Sequence, residues 1–132
     1  LCTIDLLSDN HKHLGGIIMP GPGALNKLLP SGVASQLSTI DINFTEKPQY
    51  AIGTNAKICL ESGFHFGYIG MVEKMILVLL EEANWDIAET DIIATGGAAS
   101  KIMPHLKSLP HYQYQPNLTL QGIENFTKLE LN

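Results

Sequence analysis

Charge is scarce in this chain of 132 residues. Only 16% of it is Asp, Glu, Lys or Arg, with eight basic residues against thirteen acids and a net charge of −5. No basic patch or stripe stands out, which argues against nucleic acid as a partner. Cysteine is nearly absent. Cys2 and Cys59 stand alone with no C-x-x-C spacing and no secretory leader before them. Reduced thiols in a cytoplasmic protein are the expectation. Long apolar runs are missing too: the longest is Met75-Ile76-Leu77-Val78-Leu79-Leu80. That is far short of the roughly 20 residues of a membrane span, so no membrane partner is expected. Internal repeats and low-complexity segments are absent. None of Ser31, Ser35, Ser62 and Ser100 sits in a G-x-S-x-G context, so hydrolase chemistry has no support.

What is present is apolar. Hydrophobic residues make up 45% of the chain. That suffices for one domain with a core and suggests surface buried against a neighbour. The chain opens on Leu1, inside strand-like sequence, which reads as one piece of a longer polypeptide. Residues 1–8 and 13–19 are β-rich and flank the polar turn Ser8-Asp9-Asn10-His11-Lys12, a β-hairpin pattern. Pro20-Gly21-Pro22-Gly23 ends it. A short helix is expected over 24–30, stopped near Pro30-Ser31-Gly32, and a strand or extended linker over 37–44. Thr45-Glu46-Lys47-Pro48 reads as a solvated loop. Thr54 or Asn55 caps a long helix running to about Ala83. Gly63, Gly67 and Gly70 share one face of it, at about 1 kcal/mol each relative to alanine. Close packing against another helix would offset that cost; a break near Gly63 is the competing reading. After a connector, a strand is expected at 91–95, a helix at 98–108 strained by Pro104, a strand at 111–115 and a helix at about 121–130. The order β-β-α-β-α-β-α makes an α/β fold with a mixed sheet.

Two glycine pairs carry the functional reading. Thr95-Gly96-Gly97 closes a short apolar strand and precedes a helix. Bare backbone there lets a ligand approach the main chain and meet helical N–H groups, as nucleotides do in α/β proteins. An ordinary left-handed turn explains the same residues. Gly15-Gly16-Ile17-Ile18-Met19-Pro20-Gly21 reads either as a second such corner or as a bulged strand and its stop. The two corners are expected to converge on one nucleotide crevice. Asp5 could reach a cation or serve as a solvated strand residue. His11 and His13 have a spacing compatible with a metal but no third ligand nearby, and read as exposed turn residues. His65, His105 and His111 show no ligand spacing. Glu81, Glu82 and Glu89 read as a solvated helix end.

The ordered series matters more than any member. Thr3-Ile4-Asp5, Leu14 to Gly21, Ile52-Gly53-Thr54-Asn55, Ser62-Gly63, Gly67-Tyr68, Thr95-Gly96-Gly97 and Leu118-Thr119-Leu120-Gln121-Gly122 together resemble the C-terminal half of type III pantothenate kinases. The resemblance covers nearly all of the chain. It implies a ribonuclease-H-like lobe of the acetate–sugar kinase and actin superfamily, with residues 1–132 forming one nucleotide-binding and dimerisation lobe of a two-lobe kinase. The implied reaction is phosphoryl transfer from ATP, with Mg2+ and a monovalent cation (K+ or NH4+), to pantothenate. This is the first step toward coenzyme A. Thr95, Gly96, Gly97, Gly15, Gly16 and Pro20 would bind ATP, and Asn55 and Ala56 would meet the substrate.

The resemblance also implies a homodimer, or a companion chain supplying the N-terminal lobe. The family's Asp-x-Gly-Thr phosphate loop, its catalytic aspartate and a strand from the middle of the lobe's sheet would lie before Leu1, leaving residues 1–19 with unpaired backbone groups. This chain alone is therefore expected to be inactive, with no catalytic residue or metal ligand of its own, and not to fold as a monomer. Ala56 stands where the family places a substrate-contacting threonine, and alanine cannot donate that hydrogen bond. A non-catalytic regulatory relative and another small-molecule kinase of the superfamily are the alternatives.

Overall fold

The computed structural model describes residues 1–28, 44 and 47–130. The end of the expected 24–30 helix, most of the expected 37–44 strand and half of the Thr45–Pro48 loop lie outside these residues. The chain divides into two compact units, Leu1–Trp85 and Asp86–Asn132. Both mix helix and strand.

The first unit begins with the hairpin. Strand β1 (Cys2–Leu7) pairs antiparallel with β2 (His13–Met19), Cys2 opposite Met19 and Asp5 opposite Gly16. Alternation puts Cys2, Ile4, Leu6, Ile17 and Met19 on the more buried face. The register slips by one residue between Leu6 and Leu7. His11 closes the turn at φ 60°, its N–H donating to the Ser8 carbonyl at 2.8 Å. His11 therefore sits in the turn and only His13 in the strand, so the two do not share a strand face. Pro20 ends β2 for want of an N–H, and α1 (Pro22–Leu28) follows with proline at its first position.

Helix α2 (Ala56–Ala83) is continuous, with no break at Gly63. Asn55 caps its start: the side-chain oxygen accepts the Ile58 N–H at 3.0 Å. Asn84 ends it in the left-handed conformation (φ 56°). Its N–H bonds the Glu81 carbonyl, and the Trp85 N–H bonds the Leu80 carbonyl. Ser62, His65, Tyr68, Ile69, Val72, Ile76 and Leu80 are buried at spacings of three and four, the signature of one helix face. Phe44 is buried with them, stacked on His65 and edge-on to Tyr68. Each aliphatic side chain so buried contributes about 1.5–3 kcal/mol.

By length and hydropathy α2 does reach the range of a membrane-crossing helix, although no single apolar run does. The polar residues on its buried face fit the central helix of a packed unit: the Ser62 hydroxyl donates to the Ala51 carbonyl. Burial, together with the adjacent Cys2 thiol, pushes the Tyr68 phenol above its ordinary range.

The three glycines depart from expectation. Gly63, Gly67 and Gly70 are exposed, and a Cβ on any of them would meet nothing within 4 Å. No other helix packs on them among the described residues. Gly67→Ala is therefore expected to stabilise the chain by about 1 kcal/mol. A raised midpoint in urea denaturation checks this, and a lowered one would mean that something packs on Gly67.

In the second unit, β3 (Ile93–Ala94) and β4 (Gln113–Tyr114) are two residues each. They pair in parallel, Ile93 opposite Gln113. Both are shorter than the strands expected at 91–95 and 111–115. The expected helix 98–108 is one turn, α3 (Ala99–Ile102), followed by a 3-10 turn at Met103–His105 that contains Pro104. Pro104 has no N–H to continue the α ladder, which explains the early stop. Ile102, Met103, Leu106 and Leu109 form the buried cluster here. Helix α4 (Leu118–Glu130) starts three residues before its expected position. The whole is an α/β chain with a small antiparallel sheet and a small parallel one.

Candidate functional site

Three groups of residues singled out from the sequence can be placed. The first is the hairpin corner. Gly15 sits at φ 127°, which an L side chain rarely adopts. Gly16 lies opposite Asp5, and a Cβ on it would collide with the Ile4 carbonyl and reach within 2.9 Å of the Asp5 Cα. The Asp5 side chain folds over this bare position to His13, whose Nε2 lies 3.0 Å from Asp5 Oδ1. Both side chains are about half exposed. This carboxylate–imidazole pair was not legible as a pair in sequence. Asp5 and His13 read separately as solvated residues, and only the cross-strand register joins them. Pro20 is exposed just beyond the end of β2.

The second group is the start of α2. Gly53 packs so closely on the first turn of the helix that a Cβ would collide with the Cys59 N and lie 2.6 Å from its Cα. Asn55 and Ala56 are exposed. The Asn55 oxygen is spent on the helix cap. The Lys57 ammonium faces Glu61 at 3.8 Å, one turn on. Asn55 keeps its amide donors beside Ala56.

The third group is Thr95-Gly96-Gly97, at the C-terminal end of parallel strand β3. Open α/β sheets place ligands at this end of their strands. Gly96 adopts φ 91°, and a Cβ on Gly97 would enter open space. The Gly96 carbonyl accepts the Tyr114 hydroxyl at 3.3 Å and the Ala99 N–H at 3.2 Å. At least one first-turn N–H of α3 is thus used locally, and a one-turn helix offers little dipole. The expected helix-end contribution to ligand binding is correspondingly small.

The Thr95 hydroxyl oxygen is buried with no hydrogen-bond partner among the described residues, as is the Tyr68 hydroxyl. Leaving such a group unsatisfied costs about 1–3 kcal/mol, so a ligand that supplies Thr95 with a partner gains by binding there. The bare corner beside it would admit a flat base or ribose. Cation ligands are sparser: among the described residues no three His, Cys, Asp or Glu side chains gather where a metal could sit.

The hairpin corner and the Thr95 corner lie in different units, and each is described by itself. One apolar cavity of about 320 Å³ occurs within the first unit, lined by Leu25, Cys59, Leu60, Gly63, Phe64 and Met71 among others. Gly63, Gly67 and Tyr68 of the motif series line it, while the hairpin glycines and Thr95-Gly96-Gly97 do not.

Comparison with known proteins bears on these groups. A family profile described as Type III pantothenate kinase matches residues 2–77, which include the hairpin corner and the start of α2. The chain is 36% identical over 121 residues to a type III pantothenate kinase of Ruegeria pomeroyi, 32% to one of Cereibacter sphaeroides and 31% to one of Moorella thermoacetica. In each case 92% of this chain is matched. The chain spans less than half the length of these relatives, 43–44%. With most of the chain matched at this level, and more than half of it by the profile, the chain belongs to the type III pantothenate kinase family.

Proposed function

We propose that this chain is the nucleotide-binding half of an enzyme that transfers the γ-phosphoryl group of ATP to the hydroxyl of pantothenate. The observation that carries the reading is the Thr95 corner: a buried hydroxyl without a partner, beside bare backbone, at the C-terminal end of a parallel strand. Phosphoryl transfer relies on positioning and charge neutralisation more than on covalent chemistry by the protein. Thr95, Gly96 and Gly97 supply positioning: the hydroxyl hydrogen-bonds the nucleoside, and the glycines let it lie on the main chain. Gly15, Gly16 and Pro20 contribute a second stretch of bare backbone to ATP. Asn55 offers its remaining amide donors to pantothenate beside Ala56.

ATP supplies the transferable phosphoryl group. Mg2+ and a monovalent cation, when bound, would neutralise the charge of the triphosphate. The catalytic aspartate belongs to the other lobe, so turnover needs both. The reading includes a ribonuclease-H-like, actin-type lobe, a homodimer or companion chain completing the enzyme, and work in the cytoplasm.

Gly97→Ala tests the corner. A Cβ there meets no protein atom, so stability should change by less than about 0.5 kcal/mol. Affinity for ATP, measured by calorimetry on the enzyme completed with its other lobe, should fall at least tenfold. Unchanged affinity would remove the nucleotide from this corner. Ala56 favours a second reading, a nucleotide-binding relative without turnover. A coupled assay on the completed enzyme separates the two: ATP binding without pantothenate phosphorylation selects the second.

A further inference from the structure

Tyr114 ends β4 beside the Thr95 corner. It pairs with Ala94 across the parallel ladder, and its hydroxyl reaches two residues further along β3, to the Gly96 carbonyl at 3.3 Å. The phenol ring therefore runs along the corner from strand to glycine. Three observations bear on its role. The side chain is 39% exposed, so core packing does not account for it. The hydroxyl contact is long against the about 2.7–2.8 Å usual for an O–H···O pair. It also shares the Gly96 carbonyl with the Ala99 N–H at 3.2 Å, so it adds little hold on the turn. Finally, a Cβ on Gly96 or Gly97 would meet nothing within 4 Å, which leaves open space over the bare peptide next to the ring.

The two ends of a nucleotide fit this place unequally. A triphosphate finds little here: α3 is one turn long, and the Ala99 N–H of that turn is already bonded to Gly96. A base finds a flat aromatic face, an open peptide and the buried Thr95 hydroxyl that has no partner among the described residues. Aromatic side chains hold bases by stacking, in proportion to the overlapping π surface.

We infer that Tyr114 is the base-contacting wall of the nucleotide site and makes the site prefer purine to pyrimidine nucleoside triphosphates. A purine presents the larger face to the ring and gains more from it. The inference rests on the proposed placement of ATP at this corner and adds the group that reads its base.

Calorimetry with ATP and with CTP, on the enzyme completed with its other lobe, tests it. The parent should bind ATP at least about fivefold more tightly than CTP. Tyr114→Leu keeps an apolar side chain on β4 but removes the ring. It should weaken ATP about tenfold and CTP much less, bringing the two affinities together. Tyr114→Phe keeps the ring and should hold both affinities within about twofold. Should Tyr114→Leu fail to fold, Tyr114→Trp decides, since its larger ring should raise the preference for ATP; an unchanged or lower preference overturns the inference. A role confined to shaping the corner would weaken both nucleotides alike in Tyr114→Leu, and that result overturns it too. So does a parent without preference, or a loss in Tyr114→Phe as large as in Tyr114→Leu, which would make the hydroxyl the acting group. If Gly97→Ala weakens ATP and Tyr114→Leu does not, the nucleotide is at the corner and this inference alone fails. If neither variant weakens ATP, the nucleotide lies elsewhere and both readings fail.

Discussion

Gly16→Ala is expected to lower stability by about 3 kcal/mol, because the added carbon is driven into the main chain of the opposite strand. The carbon would meet the Ile4 carbonyl, the Asp5 Cα at 2.9 Å and Asp5 Oδ1 at 2.8 Å. A flexible side chain could swing away, but Ile4 and Asp5 backbone atoms are held by the β1–β2 ladder. Relief requires the strands to part, and they carry the Asp5–His13 pair with them. A midpoint lower by roughly 10 °C in a thermal melt followed by circular dichroism is the expected result. Gly15→Ala should also destabilise, through strain at φ 127° rather than collision. If Gly16→Ala melts within a degree or two of the parent, Gly16 does not face Asp5 and this register is wrong.

Gly53→Ala is expected to cost a similar amount at the other end of the first unit. Its Cβ would strike the Cys59 N–H group, which donates to the Asn55 carbonyl at 2.9 Å, and would lie 2.6 Å from the Cys59 Cα. The Cys59 sulfur is close as well, at 2.7 Å, but it sits on a rotatable side chain. Cys59→Ala should therefore fail to rescue Gly53→Ala, since the backbone contact remains. A double variant as stable as the parent would place the conflict in the sulfur instead. The first turn of α2 should fray in the single variant, read as faster hydrogen exchange at Ile58 and Cys59. Asn55 and Ala56 would move with it, so the proposed substrate contacts should weaken alongside stability.

Elements with a strong local signal were legible in the sequence. The hairpin strands were expected at 1–8 and 13–19, and β2 occupies His13–Met19. Alternation and a polar turn carry that information without any partner. Thr54 or Asn55 announced the start of α2; Asn55 is the cap, and the helix ends at Ala83 as expected, without the competing break near Gly63. The second unit was read less well. Strands were expected at 91–95 and 111–115, but their length depends on how many residues find a paired neighbour; here two do in each. Pro104 was seen as an obstacle, yet whether a helix kinks or stops at a proline depends on packing around it.

The glycines show the same division. The sequence placed Gly63, Gly67 and Gly70 on one face and expected a helix against them, and that surface is open. Gly16 and Gly53, by contrast, prove to be where the chain touches itself. A glycine announces that something approaches or that the backbone turns, without saying which.

Local order, the family and the positions of the bare corners were determined by the sequence by itself, because periodicity, caps and an ordered series of motifs are properties of neighbours along the chain. Tertiary structure alone decided that Asp5 reaches His13, that the Asn55 oxygen is spent on a cap, that the Thr95 hydroxyl is buried without a partner among the described residues and that the Tyr114 hydroxyl meets the Gly96 carbonyl. Each depends on which atoms, distant along the chain, come within reach of a hydrogen bond or exclude water, and no local pattern encodes that.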